Sequence, residues 1–527
     1  MILCIMRTCN ATNGDVWGHI VKYFQISLSD DSAEDVKVKR STLLSIALVR
    51  SGLTTIAVSE LWRSITTLEP IINAFNPPPF RVSSPAFECK RDKFSEYWEM
   101  VKGPEYLTTD VKLRVLGYLS HVQYLHFSTF PSLKQRALWL ALLAFNWINP
   151  LCPNLRGITI TGNNSPSLVY HLLPFLVPSM RSIRFNSADS TRDPEAVSTL
   201  LGLLKHRNVQ VSDIVYAGHV TPRIVTHIFQ LSNLRSARVL ATTYQNRLEA
   251  SDIKSFQSTL LTNLDIDLSF FHPTSSDIGG WIQSLQSLST LSLQGAASAI
   301  IDCIRNRTFP LVHTLILFLR REQSGIPSVG PHTITIVSAA FPTLHSLCLE
   351  NKEGDDISNA GITLSDIYAL RERPMRCLVI YHLRISLSYP NVIDIVKTWP
   401  SLERLSLVND PKKKFERYCA KSFLFYISRH APHVTDLQLP LDMTSLITAQ
   451  PLTVQRTVCP LQRLELTHAI NLPSDLKGKL MLAQNLLTLF PRLNEVTSDV
   501  IIRELQMIVK SFEGVLSSPP RRNDNLF

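Results

Sequence analysis

No part of the 527-residue chain is apolar for long. The longest uninterrupted run, Ala137 to Phe145, is nine residues, against the roughly 20 that a helix needs to cross a bilayer. Met1 to Met6 is too short for a secretory apolar segment, and Arg7 follows it instead of preceding it, so secretion is not expected. The nine cysteines, Cys4, Cys9, Cys89, Cys152, Cys303, Cys348, Cys377, Cys419 and Cys459, are an odd set with no C-x-x-C pair. That usage fits reduced thiols and a cytoplasmic or nuclear protein. The formal glycosylation sequons at Asn10, Asn163 and Asn306 then read as chance matches.

Catalytic signatures are also missing. There is no G-x-x-x-x-G-K-[ST], G-x-G-x-x-G, H-E-x-x-H or G-x-S-x-G, although 18 glycines and 15 histidines are there to build them. His121 and His126, five apart around a strand-like segment, read as rim or core residues, not metal ligands. Cys348, between Leu347 and Leu349, reads as an inert thiol. No catalytic residue, metal site or cofactor is expected, and the chain is read as a non-enzyme. The net charge of +10 is modest for this length. Residues 371–430 carry 12 Lys/Arg against 5 Asp/Glu, including Lys412, Lys413 and Lys414. No interleaved aromatics or known nucleic-acid module accompany them, so a solvated basic edge is expected rather than a nucleic-acid site. No membrane partner is expected.

What is present is a repeat. Hydrophobic residues make up 45% and charged residues 18%, enough for a folded core. The pattern apolar-x-x-apolar-x-apolar recurs from Leu155/Ile158/Ile160 through Met180/Ile183/Phe185 and on to Leu461/Leu464/Leu466. Weaker copies begin at Val122, Val211, Leu234 and Leu493. From residue 155 onward the first residues of the copies, their anchors, recur at a mean spacing of about 28 residues, which is a solenoid period. Proline marks the copies independently. Pro153, Pro178, Pro310, Pro342, Pro400, Pro432 and Pro491 each stand two residues before an anchor, where 31 prolines in the chain would place fewer than one by chance. Proline stops a helix and favours an extended residue before it, so it marks each helix-to-strand junction. Helical patterns lie between, as in Arg223–Leu231 and Asn391–Trp399. A strand–helix unit cannot bury its apolar face alone, and stacked copies share one core.

These units resemble leucine-rich repeats, which implies an α/β parallel-sheet horseshoe over residues 119–513. The family's turn asparagine is kept at Asn163, while Lys352, Asp410 and Ala469 replace it elsewhere. Strand alternation then exposes the residues flanking the inward leucines on the concave face. Those expected to touch a target include Thr159, Arg184, Arg238, Arg404, Ser406, Gln438, Arg463 and Glu465. Their chemistry is mixed and shows no single-sign stripe.

Ahead of the array, Asp15–Phe24 reads as a short amphipathic helix and Asp30–Arg40 as an acidic-then-basic loop. Helical segments follow at Leu43–Ser51, Leu53–Ser59 and Glu60–Ile65. The motifs D-V-W-x-x-I from Asp15, L-L-S-I-A-L-V from Leu43 and L-W-R-S-I from Leu61 resemble an F-box of the kind found in fungal proteins that also carry leucine-rich repeats. The usual opening Leu-Pro pair is replaced by Ala11-Thr12-Asn13-Gly14. The resemblance implies a helical module at 10–67, a connecting segment at 68–118 and a disordered tail at 514–527. It also implies a role as substrate-recognition subunit of a Skp-Cullin-F-box ubiquitin ligase. The Skp-type adaptor would meet Val16, Trp17, Ile20, Leu44, Leu48, Val49 and Leu53, unless these form the module's own core, and the cullin complex would follow. Trp62 is expected to close the module against the first repeat. A leucine-rich-repeat scaffold without a ubiquitin connection is the alternative.

Overall fold

The computed structural model describes residues 33–49, 51–65, 113, 116–127, 151–161, 172, 175–186, 194–244, 247–248, 252, 256, 260–272, 277–320, 332–351, 362–383, 385–408, 418–447, 459–466, 472–473 and 475–497. The helix expected at 15–24 and the tail from 514 lie outside them, as does nearly all of the segment 68–118. The chain divides into two compact units, Met1–Leu261 and Thr262–Phe527. No described helix is long and apolar enough to cross a membrane.

The first unit opens with two packed helices, α1 (Ala33–Val49) and α2 (Ser51–Arg63). Leu43, Ile46 and Ala57 are buried between them, the small Ala57 letting the backbones approach. The expected loop over 30–40 is corrected here, because α1 is helical from Ala33 onward. Glu34 and Asp35 sit in its first turn, where the positive end of the helix dipole favours acids. The charges hid a helix whose apolar face begins only later. The two segments expected after Leu53 are one helix, and its end differs again. Ser64–Ile65 leave the helix as strand β1.

Parallel strands follow: β2 (Tyr124–Phe127), β3 (Gly157–Thr161), β4 (Ser182–Asn186), β5 (Asp213–Val220) and β6 (Ser236–Tyr244). Each pairs with its sequence neighbour, from Ser64 opposite Tyr124 to Asp213 opposite Ser236. The L-W-R-S-I close of the helical module is therefore also the first turn of the array. The register places Trp62 at the anchor position that Val122 holds in the next strand, and the Trp62 ring stacks on Tyr118, 4.9 Å between centroids and 5° from parallel. Outside the sheet stand α3 (Pro194–His206) and α4 (Pro222–Phe229), the latter capped by Thr221 with Ile224, Val225 and Ile228 buried.

The second unit continues the pattern with β7 (Asn263–Asp267), α5 (Asp277–Ser284), β8 (Thr290–Ala296), α6 (Ala297–Ile304), β9 (Thr314–Arg320), α7 (His332–Ala340) and β10 (Ser346–Asn351). Then come β11 (Ile362–Thr363), α8 (Leu364–Tyr368), β12 (Cys377–Tyr381), β13 (Ile385–Ser386), α9 (Tyr389–Thr398) and β14 (Arg404–Val408). It ends with β15 (Tyr418–Cys419), α10 (Ala420–His430), β16 (Asp436–Gln438), β17 (Leu441–Asp442), α11 (Thr444–Ile447), β18 (Arg463–Glu465), α12 (Leu476–Leu489) and β19 (Glu495–Thr497). The main sheet of this unit runs β7-β8-β9-β10-β12-β14-β16-β18-β19, and β11–β13 and β15–β17 form two small parallel side pairs.

All fourteen expected repeat copies are strands with buried anchors. Leu155, Met180, Val312, Leu344, Leu402, Val434 and Leu493 are each at most 1% exposed. The prolines occupy the second residue of a tight turn whose fourth residue is the anchor. Leu155 donates to Cys152 O at 3.1 Å, Met180 to Val177 O at 3.0 Å and Leu402 to Trp399 O at 3.0 Å. That turn position wants φ near −65° and uses no N–H, which is what proline supplies. The next carbonyl then accepts two N–H groups of the following repeat, as Gln123 O does from Arg156 at 2.7 Å and Gly157 at 3.0 Å. The anchor and the inward leucines of each repeat copy are thus buried, and burying each leucine there contributes about 2 kcal/mol.

Candidate protein-binding surface

Burial alternates along β9 and β10, so their alternate side chains stand on the face that no described helix covers, whereas β8 and β14 are buried on both faces over most of their length. The residue after each anchor sits where the chain enters the sheet. Register therefore arranges the surface into rows, and the expected contact residues fall into them. In the first unit Thr159 of β3, Arg184 of β4 and Arg238 of β6 share one row, His126–Thr159–Arg184–Val215–Arg238. His126 Nε2 lies 3.2 Å from Thr161 Oγ1, and burial lowers its pKa, so it is a neutral rim residue at pH 7. One row nearer the entry, Gly157 has no side chain because the Tyr124 ring lies across it. A Cβ there would stand 3.0 Å from Tyr124 Cδ1.

In the second unit the remaining five converge. Arg404, Ser406, Gln438, Arg463 and Glu465 line one shallow recess with Tyr381, Leu405, Asp436 and Leu437. At about 90 Å³ it has room for a few waters or the end of one side chain. Its entry-side row alternates in charge along the register Arg404–Asp436–Arg463–Glu495. Arg404 Nη2 meets Asp436 Oδ1 at 3.5 Å and Arg463 Nε meets Glu495 Oε1 at 3.6 Å. Behind it the Ser406 hydroxyl donates to Gln438 Oε1. Burial raises the pKa of the Tyr381 phenol, which keeps it a proton donor. Tyr381 is the member that the sequence reading missed. It is the last residue of β12, one residue past the inward Ile380.

Charge divides between the units. In the first, the entry and open-face positions hold six arginines, Arg63, Arg156, Arg181, Arg184, Arg235 and Arg238, against one acid, Asp213. In the second, the same positions hold four arginines, Arg320, Arg376, Arg404 and Arg463, against seven carboxylates. On the open face of the first unit Arg184 and Arg238 stand among uncharged residues and Asp213, and the excess of arginine lies at the entry edge, outside the positions expected to touch a target. Strict alternation would turn the residue after each anchor inward, yet Arg156, Arg181 and Arg235 are exposed at the sheet's entry edge.

Of the residues proposed to meet an adaptor, Val16, Trp17 and Ile20 lie outside the described residues. Leu44 stands on α1, 54% exposed. Leu48 and Val49 are also on α1 and Leu53 is on α2, with side chains outside the description. Among the described residues no group of three or more His, Cys, Asp or Glu could hold a metal ion. Burial pushes the Cys348 thiol up to about 12, the opposite of what a nucleophile needs. Family models give no match to this chain, and neither does a search of curated proteins.

Proposed function

We propose that this chain is a substrate-recognition subunit of a Skp-Cullin-F-box ubiquitin ligase, with α1 and α2 docking the adaptor and the open sheet face holding the target. The observation that carries the reading is the placement of the helical pair. The L-W-R-S-I segment ends α2, stacks on Tyr118 and starts the sheet, so the helical pair runs directly into the first strand of the repeats. On that pair Leu43 and Ile46 fill the core and Leu44 is left as an exposed leucine. A direct join of this kind holds a bound target near whatever the helices carry. The acceptor lysine then reacts at high effective concentration, with no chemistry supplied by this chain. Affinity purification of the tagged chain with mass spectrometry tests the reading. A Skp-type adaptor and a cullin are expected among the partners, and recovery of other partners without them would leave a repeat scaffold as the better account.

A further inference from the structure

The arginines of the first unit form two rows. At the entry edge the register runs Arg63–Gln123–Arg156–Arg181–Ser212–Arg235, one residue before the paired strand starts. On the open face, three residues further along the strands, Arg184 and Arg238 flank Val215. Strands about 4.8 Å apart and residues about 3.3 Å apart put Arg184 and Arg238 roughly 10 Å from each other and about 10 Å from the entry row. Between the rows the register positions are Tyr124, Gly157, Ser182, Asp213 and Ser236, of which Gly157, Ser182 and Ser236 are small and uncharged. Arg63 is already paired with Glu60 at 3.4 Å, so the cationic band runs from Arg156 to Arg235, about 15 Å, with Arg184 and Arg238 on its far side and Asp213 as the one acid of its floor.

We infer that this band binds a carboxylate-rich extended peptide of the target protein. A peptide laid across the strands presents alternate side chains about 7 Å apart, and its glutamates or aspartates reach guanidinium groups on both borders. Serine hydroxyls of the floor, Ser182 and Ser236, and the hydroxyl of Thr159 beside Arg184 offer donors to its backbone. Arginine forks match carboxylates in pairs, which suits side-chain acids. Nucleic acid is disfavoured because single-strand binding uses successive stacking platforms, whereas Tyr124 is the single aromatic among these positions and its ring already covers Gly157. The inference rests on the reading of the sheet face as the target site and supplies the chemistry of that target.

The test is fluorescence anisotropy with the full chain and a labelled twelve-residue Glu-Ala peptide, beside its Gln-Ala counterpart and a single-stranded RNA of equal length. The Glu-Ala peptide should bind, weaken several-fold between 50 and 200 mM salt, and lose about tenfold in affinity on R184E/R238E. The same loss should be smaller in R184Q/R238Q, which removes charge without reversing it. A Glu-Ala peptide that fails to bind at 50 mM salt, binding unchanged in both variants, or tighter capture of the RNA would each overturn the inference. Adaptor capture is measured on the same variants. Adaptor retained while peptide binding fails sinks this inference alone, whereas peptide bound without any adaptor sinks the ligase reading alone.

Discussion

Leu43 and Leu44 are neighbours in sequence and opposites in environment, the first fully buried against α2 and the second more than half exposed. Truncating Leu43 to alanine leaves a cavity between the two helices and should cost about 2–5 kcal/mol, read as faster proteolysis within residues 33–63. Leu44→Glu should stay within about 0.5 kcal/mol of wild type in chemical denaturation, because nothing buried changes. Histidines supply the pH dependence. His345 stacks on His313 at 5.1 Å, and burial, then His313 and Arg376, lower its pKa. His126 and His227 are lowered as well, burial being the first cause in each. A lowered folded pKa means that the unfolded chain takes up protons first as pH falls below about 6.5. The melting temperature should therefore fall between pH 7 and 5.5, and His345→Gln should flatten that slope. A melting temperature that rises over this interval would contradict the assignment.

Several of the described helices are held at their starts by a side-chain cap. Ser388 and Asn391 form a capping box on α9, with the Ser388 N–H donating to Asn391 Oδ1 at 2.8 Å, and Pro390 stands in the first turn. Ser388→Ala should cost about 1 kcal/mol in equilibrium unfolding while leaving the strands on either side in register. Elements of this kind were legible in the sequence because two periods coincide. Apolar residues at strand spacing bury one face, and proline two residues earlier makes the turn that delivers them. What stayed hidden had no such period. The first turns of α1 are mostly charged, so helix dipole and tertiary packing decide them where apolar spacing is silent. β1 is two residues long, and its strand state comes from pairing with residues 124 and 125, some 60 positions away. The recess on β12–β18 was half legible. Its Arg, Ser, Gln and Glu members follow from alternation, but their convergence depends on the register of four repeats, which no single copy encodes.

At the scale of the molecule, repeat stability is roughly a sum over neighbours, so damage at the helical pair should not spread through the sheets. Adaptor capture and target capture can then be lost separately: the first by charge at Leu44, the second by reversing Arg184 and Arg238. Placing an unpaired charge in an apolar interface costs several kcal/mol, enough to abolish a micromolar complex. Titration calorimetry of a purified Skp-type adaptor into the purified chain tests the central claim most directly. The account predicts a one-to-one complex with the wild type and none with Leu44→Glu, the variant keeping wild-type circular dichroism and wild-type resistance to proteolysis over residues 33–63. No binding heat with the wild type, or undiminished binding with the variant, would contradict it.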